Sequence, residues 1–170
     1  MNIVKHNSDI YEVENFLTEE EVKGLLLSAN PDGFIRSHPG NIVQDFNAES
    51  LTFIPSISDR LMTFFKNAHS HTKISNIRRL HKGEYMSAHE DSGYPDSPNK
   101  IVFGIAIYLN EDFSGGSLRY TDLDIDIKPK TASMVIHNAK LKHEVLPVTD
   151  GARYSITTFV FGDDTTTVNI

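Results

Sequence analysis

The chain has no cysteine and no tryptophan in its 170 residues, and no basic cluster longer than Arg78-Arg79. The first absence removes any disulfide framework, so a cytosolic setting is the expected one. The scarcity of grouped positive charge, with a net charge of −7, counts against a partner held mainly through its phosphates. No nucleic-acid partner is expected. No apolar run approaches the ~20 residues that span a bilayer. The opening residues, Met1 to Asp9, lack the basic start and apolar stretch of a secretory signal. No membrane association is expected either. What remains is an ordinary globular composition, 39% hydrophobic and 23% charged, in about one domain's length of chain. No repeat, low-complexity tract or linker interrupts it, which predicts one domain over residues 1–170.

The order of elements narrows the fold. Thr18-Glu19-Glu20-Glu21 reads as a capping box, and Val22, Leu25 and Leu26 give the helix after it an apolar face. A second helix is predicted over 56–67, where Ile57, Leu61, Phe64 and Phe65 share a stripe. From residue 73 onward, short β-rich runs are separated by turn signals: 74–80, 84–91, 101–109, 117–121, 123–127, 132–137, 142–147 and 153–161. The predicted class is mainly β (α+β): an antiparallel barrel or jelly roll with supporting N-terminal helices.

Alternation shows which faces are unusual. In 101–109 the odd positions Ile101, Phe103, Ile105, Ile107 and Leu109 are bulky, whereas Gly104, Ala106 and Tyr108 leave the opposite face mostly small. The same period groups Tyr85, Ser87, His89 and Asp91 on one strand face, and Arg153, Ser155, Thr157 and Phe159 on another. An inward polar row is costly in a core and fits an occupied pocket better.

His-x-Asp alone is close to chance expectation in a chain with eight histidines. Context raises it: His89 and Asp91 share a predicted strand face, and His143 follows on a later strand ahead of Arg153. Two imidazoles and a carboxylate suit a facial iron(II) site, although zinc would accept the same atoms. The bland alternatives are an ordinary ion pair for Arg153 and plain core for Tyr108. His6, His38, His69, His71 and His81 read as solvated, and His137, before a predicted turn, as structural. Gly115 and Gly116 read as a turn requirement, and Asp122, Asp124 and Asp126 as a solvated strand face.

Taken in order, these segments resemble the prolyl-hydroxylase branch of the 2-oxoglutarate oxygenases. The resemblance runs through Gly83-Glu84-Tyr85-Met86-Ser87-Ala88-His89-Glu90-Asp91, Tyr108-Leu109-Asn110 and Ser114-Gly115-Gly116-Ser117-Leu118. It continues in His143-Glu144-Val145-Leu146-Pro147-Val148 and in Gly151-Ala152-Arg153-Tyr154-Ser155-Ile156-Thr157. The opening Val13-Glu14-Asn15-Phe16-Leu17-Thr18 is similar to the family's entry into its first helix. The resemblance implies a double-stranded β-helix that binds Fe(II), held by His89, Asp91 and His143, with 2-oxoglutarate and O2 as co-substrates and ascorbate as a further candidate cofactor. It also implies that Arg153 forks onto the distal carboxylate of 2-oxoglutarate, with Thr157 and Ser155 beside it, Tyr108 in contact and Leu118 walling the aliphatic stretch. One departure stands out. Many family members have a tyrosine where this chain has Arg79 and Leu80, so either Arg79 or another inward group compensates, or the 2-oxoglutarate site is looser.

The implied chemistry is hydroxylation of an unactivated carbon, with release of succinate and CO2. A peptide or protein substrate, proline foremost, is the leading expectation, since Ser92 to Asn99 is a short polar loop that suggests an open groove. A free amino acid or other small molecule is the alternative within the same chemistry. A nucleobase demethylase is disfavoured by the acidic charge and the missing tryptophan. From another class, a jelly-roll binding or virion protein could keep this fold without catalysis.

Overall fold

Strand alternation sets the layers. In the strand Lys100–Tyr108, Ile105 and Ile107 are fully buried on one side with the helices, while Ala106 and Tyr108 belong to a second apolar cluster on the other side. The same parity recurs in each neighbour: Ile77 against Leu80, Met134 and Ile136 against Val135, Ile156 and Val160 against the row from Arg153. Each such aliphatic side chain contributes ~1.5–3 kcal/mol when fully buried.

The computed structural model describes residues 1–38, 41–46, 50–92 and 100–170. Its larger sheet runs in the order Asn2–Lys5, Ile10–Glu14, Met134–Asn138, Lys100–Tyr108, Ala152–Gly162, Asn76–His81, Asn41–Asp45, Ile35–His38. Each of these neighbours is antiparallel. A smaller antiparallel sheet runs Ile125–Ile127, Leu118–Tyr120, His143–Val145, Met86–His89. The helices Glu19–Ser28 and Ile54–Met62 pack on the outer face of the larger sheet, and the second apolar cluster lies between the sheets. This is the double-stranded β-helix, or jelly roll, that the sequence predicts, with two helices braced against one side. No helix among the described residues is long and apolar enough to cross a membrane.

Several boundaries differ from the sequence pattern. The second helix ends at Met62 rather than at 67, because Phe64 N bonds back to Leu61 O at 3.1 Å in a tightened turn and Phe65 enters a short strand pair. Phe64 and Phe65 still join the core, so the apolar stripe was real while its helical reading ran too far. The chain opens with two strands, not with helix, and one of them, Ile10–Glu14, is nearly all buried. The predicted strand 123–127 begins at Ile125, since Asp124 takes a positive φ of 51° in the turn. The predicted strand 142–147 shortens to His143–Val145, and a further strand that the pattern missed follows at Val148–Asp150. The predicted loop 92–99 falls, from residue 93 on, outside the described residues, as do the side-chain surroundings of His38.

One correction reaches the site itself. The strand predicted over 84–91 is Met86–His89, and its register against His143–Val145 shifts: His89 pairs with His143, but Met86 pairs with Val145. Three steps on one strand oppose two on the other, a β-bulge that resets the alternation. Met86, not Ser87, therefore lines the cavity beside His89, while Tyr85 is 52% exposed.

Candidate metal centre and co-substrate pocket

His89 and Asp91 leave the end of the edge strand, and His143 starts the strand paired to it. One ligand-capable atom from each of His89, Asp91 and His143 lies within 4.8 Å of the others. Asp91 Oδ1 is 3.6 Å from His89 Nε2, and Asp91 Oδ2 is 3.7 Å from His143 Nε2. The backbone fixes the imidazoles. His89 Nδ1 donates to Ser87 O at 2.8 Å and His143 Nδ1 to Leu141 O at 2.9 Å, which leaves both Nε2 lone pairs facing Asp91. Asp91 is tethered differently: its N–H and that of Ser92 both donate to Ala139 O, at 2.9 and 3.1 Å.

Charge within the group suits metal binding. Burial pushes the Asp91 carboxyl up, but a hydrogen bond from His137 and the three facing imidazoles outweigh it and hold the carboxyl below its ordinary value. Burial, with His137 alongside, brings the His143 imidazole down to about 4. Both groups thus stand in the protonation states a cation requires, carboxylate and neutral imidazole. This donor set fits iron(II).

At the inner end of the same cavity lies Arg153, 3% exposed. Its Nε donates to Gly116 O at 3.1 Å and Nη1 to Ser155 Oγ at 2.9 Å, and among the described residues no carboxylate lies within ion-pair distance. A buried guanidinium with no acid is unfavourable by itself and fits an anionic ligand. The alternative of an ordinary ion pair therefore finds no partner there. Tyr108 lies beside it, the guanidinium 5.0 Å from the ring centroid, and among the described residues the buried phenol oxygen meets no partner at hydrogen-bond geometry. Burial pushes that phenol up, with Arg153 opposing. Gly116, with φ of 65°, comes so close that a Cβ there would sit 3.1 Å from Arg153 Cδ, so this glycine serves the pocket as well as the turn. Ser155, Thr157 and Phe159 line the cavity, as their alternation predicts, and Leu118 lines it too.

Two polar pocket residues escape the sequence reading. His137, taken there as structural, is 3% exposed and places Nε2 3.0 Å from Asp91 Oδ2. The signal was present: Met134 and Ile136 face the helices, so alternation turns Val135 and His137 inward. Arg78 is the other, standing in register opposite Ser155 and lining the cavity. Arg79 faces away, with its guanidinium 4.0 Å over the Phe34 ring, and Leu80 is buried in the inter-sheet cluster.

Residues 73–161 match the sequence model of the 2OG-Fe(II) oxygenase superfamily, just over half of the chain. The chain belongs to that superfamily, and it is by family a 2-oxoglutarate-dependent dioxygenase that uses Fe(II), 2-oxoglutarate and O2. Its fold is similar to that of the viral collagen prolyl hydroxylase of Paramecium Bursaria Chlorella virus-1 in its 2OG complex, at TM-score 0.72 and 18% identity, covering 94% of this chain and 98% of that one. It is also similar to a Pseudomonas putida prolyl-4-hydroxylase, at TM-score 0.71 and 15% identity, covering 92% and 94%. A Trichoplax adhaerens prolyl hydroxylase, in complex with a hypoxia inducible factor oxygen degradation domain peptide fragment, matches at TM-score 0.69 and 16% identity, covering 92% and 84%. No curated protein matches the sequence.

Proposed function

We propose that this chain is a single-domain, cytosolic dioxygenase that hydroxylates a peptidyl residue, proline foremost, with conversion of 2-oxoglutarate to succinate and CO2. The observation that carries the reading is Arg153: a buried cation without an acid among the described residues, in the cavity that holds His89, Asp91 and His143. His89, Asp91 and His143 hold Fe(II) in this reading. When bound, the iron supplies activation of O2 against 2-oxoglutarate and oxidation of a carbon–hydrogen bond. Arg153 takes the distal carboxylate of 2-oxoglutarate, Thr157 and Ser155 line that end, the Tyr108 hydroxyl contacts the co-substrate nearer the iron, and Leu118 excludes water along the aliphatic stretch. Arg78 takes the compensating place that Leu80 leaves open, since it lines the same cavity and Arg79 does not. Ascorbate would keep the metal reduced between turnovers. The peptide substrate is supported by the shared fold with prolyl hydroxylases, one of them in complex with a peptide fragment.

The test is direct. Purified protein with Fe(II), ascorbate and 2-oxoglutarate is offered a peptide library with proline in varied contexts, while succinate and a mass gain of one oxygen are measured. His143→Ala should lose iron binding, whereas Arg153→Ala should keep iron and bind 2-oxoglutarate more weakly. Hydroxylation of a free amino acid instead of any peptide would move the substrate class. Absence of turnover together with absence of metal affinity would overturn the enzyme reading.

A further inference from the structure

The imidazoles around Asp91 are of two kinds. His89 and His143 each give Nδ1–H to a backbone carbonyl and turn a bare Nε2 toward the carboxylate. His137 is reversed. Its Nε2 lies 3.0 Å from Asp91 Oδ2, and since a carboxylate only accepts, that nitrogen carries the hydrogen. Its Nδ1 is buried and has no hydrogen-bond partner among the described residues. An Nε2 that already donates has no lone pair for a metal, so His137 stands apart from the ligand set although it touches it.

We infer that His137 is a positioning residue for the metal centre: its Nε2–H fixes the rotation of the Asp91 carboxylate so that the carboxylate meets the ion together with His89 and His143. The inference rests on the proposed role of Asp91 as a metal ligand. The terminal torsion of an aspartate is soft, so a carboxylate held only by its own backbone would swing through a broad range. The fold removes that freedom from several directions. His137 is the cross-strand partner of Gly104, and a Cβ on Gly104 would collide with both Asp91 Oδ2 and His137 Nε2. The missing side chain is the slot in which carboxylate and imidazole meet. Ala139, two residues beyond His137, accepts from the N–H groups of Asp91 and Ser92, so one strand end holds both the backbone and the carboxylate of Asp91. The imidazole is itself wedged, with the Tyr120 ring edge-on at 5.5 Å and the His143 ring at 4.4 Å between centroids.

The experiment is a titration of metal-free protein with Co(II), read by its visible absorption band, on the wild type and on His137→Phe, His137→Gln and His137→Asn. Loss of a hydrogen bond to a metal ligand typically lowers affinity by about 10–100-fold, which is the expected effect of His137→Phe. The Gln amide nitrogen reaches the place of Nε2 and should restore most of the affinity and the band shape. The Asn amide reaches only the place of Nδ1 and should not. If His137→Phe fails to fold by circular dichroism, the Gln and Asn pair still decides. Equal Co(II) affinity in Gln and Asn, or wild-type affinity in a folded Phe variant, would overturn the inference and leave the metal site standing. No Co(II) binding by the wild type, or undiminished binding by His143→Ala, would instead overturn the metal site itself, and the inference with it.

Discussion

His143 carries a cost that the metal-free protein reveals. Its imidazole stays neutral down to about 4, against 6.5 when solvated, and its side chain is only 6% exposed. The unfolded chain therefore takes up a proton below pH 6.5 that the folded chain refuses, so stability is complete above that pH and falls as acid is added, until the folded group also protonates. At about 1.4 kcal/mol per pH unit, the metal-free protein should lose roughly 3 kcal/mol across this window. Urea melts at pH 7 and pH 4.5 measure it, and His143→Gln should flatten the dependence; an unchanged slope in that variant would assign the effect elsewhere. Individual residues were legible where alternation met distinctive chemistry, as in the row from Arg153 to Phe159. They were not legible where a partner lay far along the chain. His137 gains its role from Asp91, 46 residues away, and from Gly104 on the neighbouring strand of the larger sheet. Nothing near His137 in the sequence records either neighbour.

The first helix, Glu19–Ser28, shows an element whose start is written locally. Thr18 Oγ1 accepts from Glu21 N at 3.1 Å, and Glu21 Oε2 accepts from Thr18 N at 2.9 Å, the reciprocal box that the four-residue motif predicts. The same carboxylate oxygen also takes Arg60 Nη2 at 2.6 Å, tying this helix to Ile54–Met62. Thr18→Ala should cost about 1 kcal/mol. Glu21→Ala, which also strands a partly exposed Arg60, should cost about 2 kcal/mol, less than a fully buried pair would. Denaturant melts measure both, and Co(II) affinity should not move, because the helices pack on the far side of the larger sheet from the cavity. An affinity change would show that the layers are coupled. The bulge in Met86–His89 is the counterpart, an element that local pattern misread. An inserted residue shifts parity without leaving a composition signal, so Tyr85 and Ser87 looked inward when Met86 was.

The whole molecule is organised around a cavity between two sheets, and its stability should respond to what fills that cavity. A ligand that binds only the folded state adds about 2.7 kcal/mol at one hundred times its dissociation constant. In a chain of this length each kcal/mol moves Tm by about 2–4 °C, so metal alone at that concentration should raise Tm by roughly 5–10 °C, 2-oxoglutarate should add a further rise, and a chelator should cancel the metal's share. No shift with either ligand would show that the cavity binds neither. Fold class was legible because two early helices and many short strands after them admit few architectures, even though the two strands that open the chain were missed. The order of strands was not, because antiparallel pairing between distant segments leaves no local trace. One asymmetry of the site follows the molecule into time. His89 stands at the edge of its sheet with its side chain 36% exposed, while Asp91 and His143 are 7% and 6% exposed. Depth of burial on one side sets how tightly an ion is held; looseness on the other sets how quickly it is exchanged. Solvent meets the site first at His89, so an ion held there is expected to exchange with a chelator from that side.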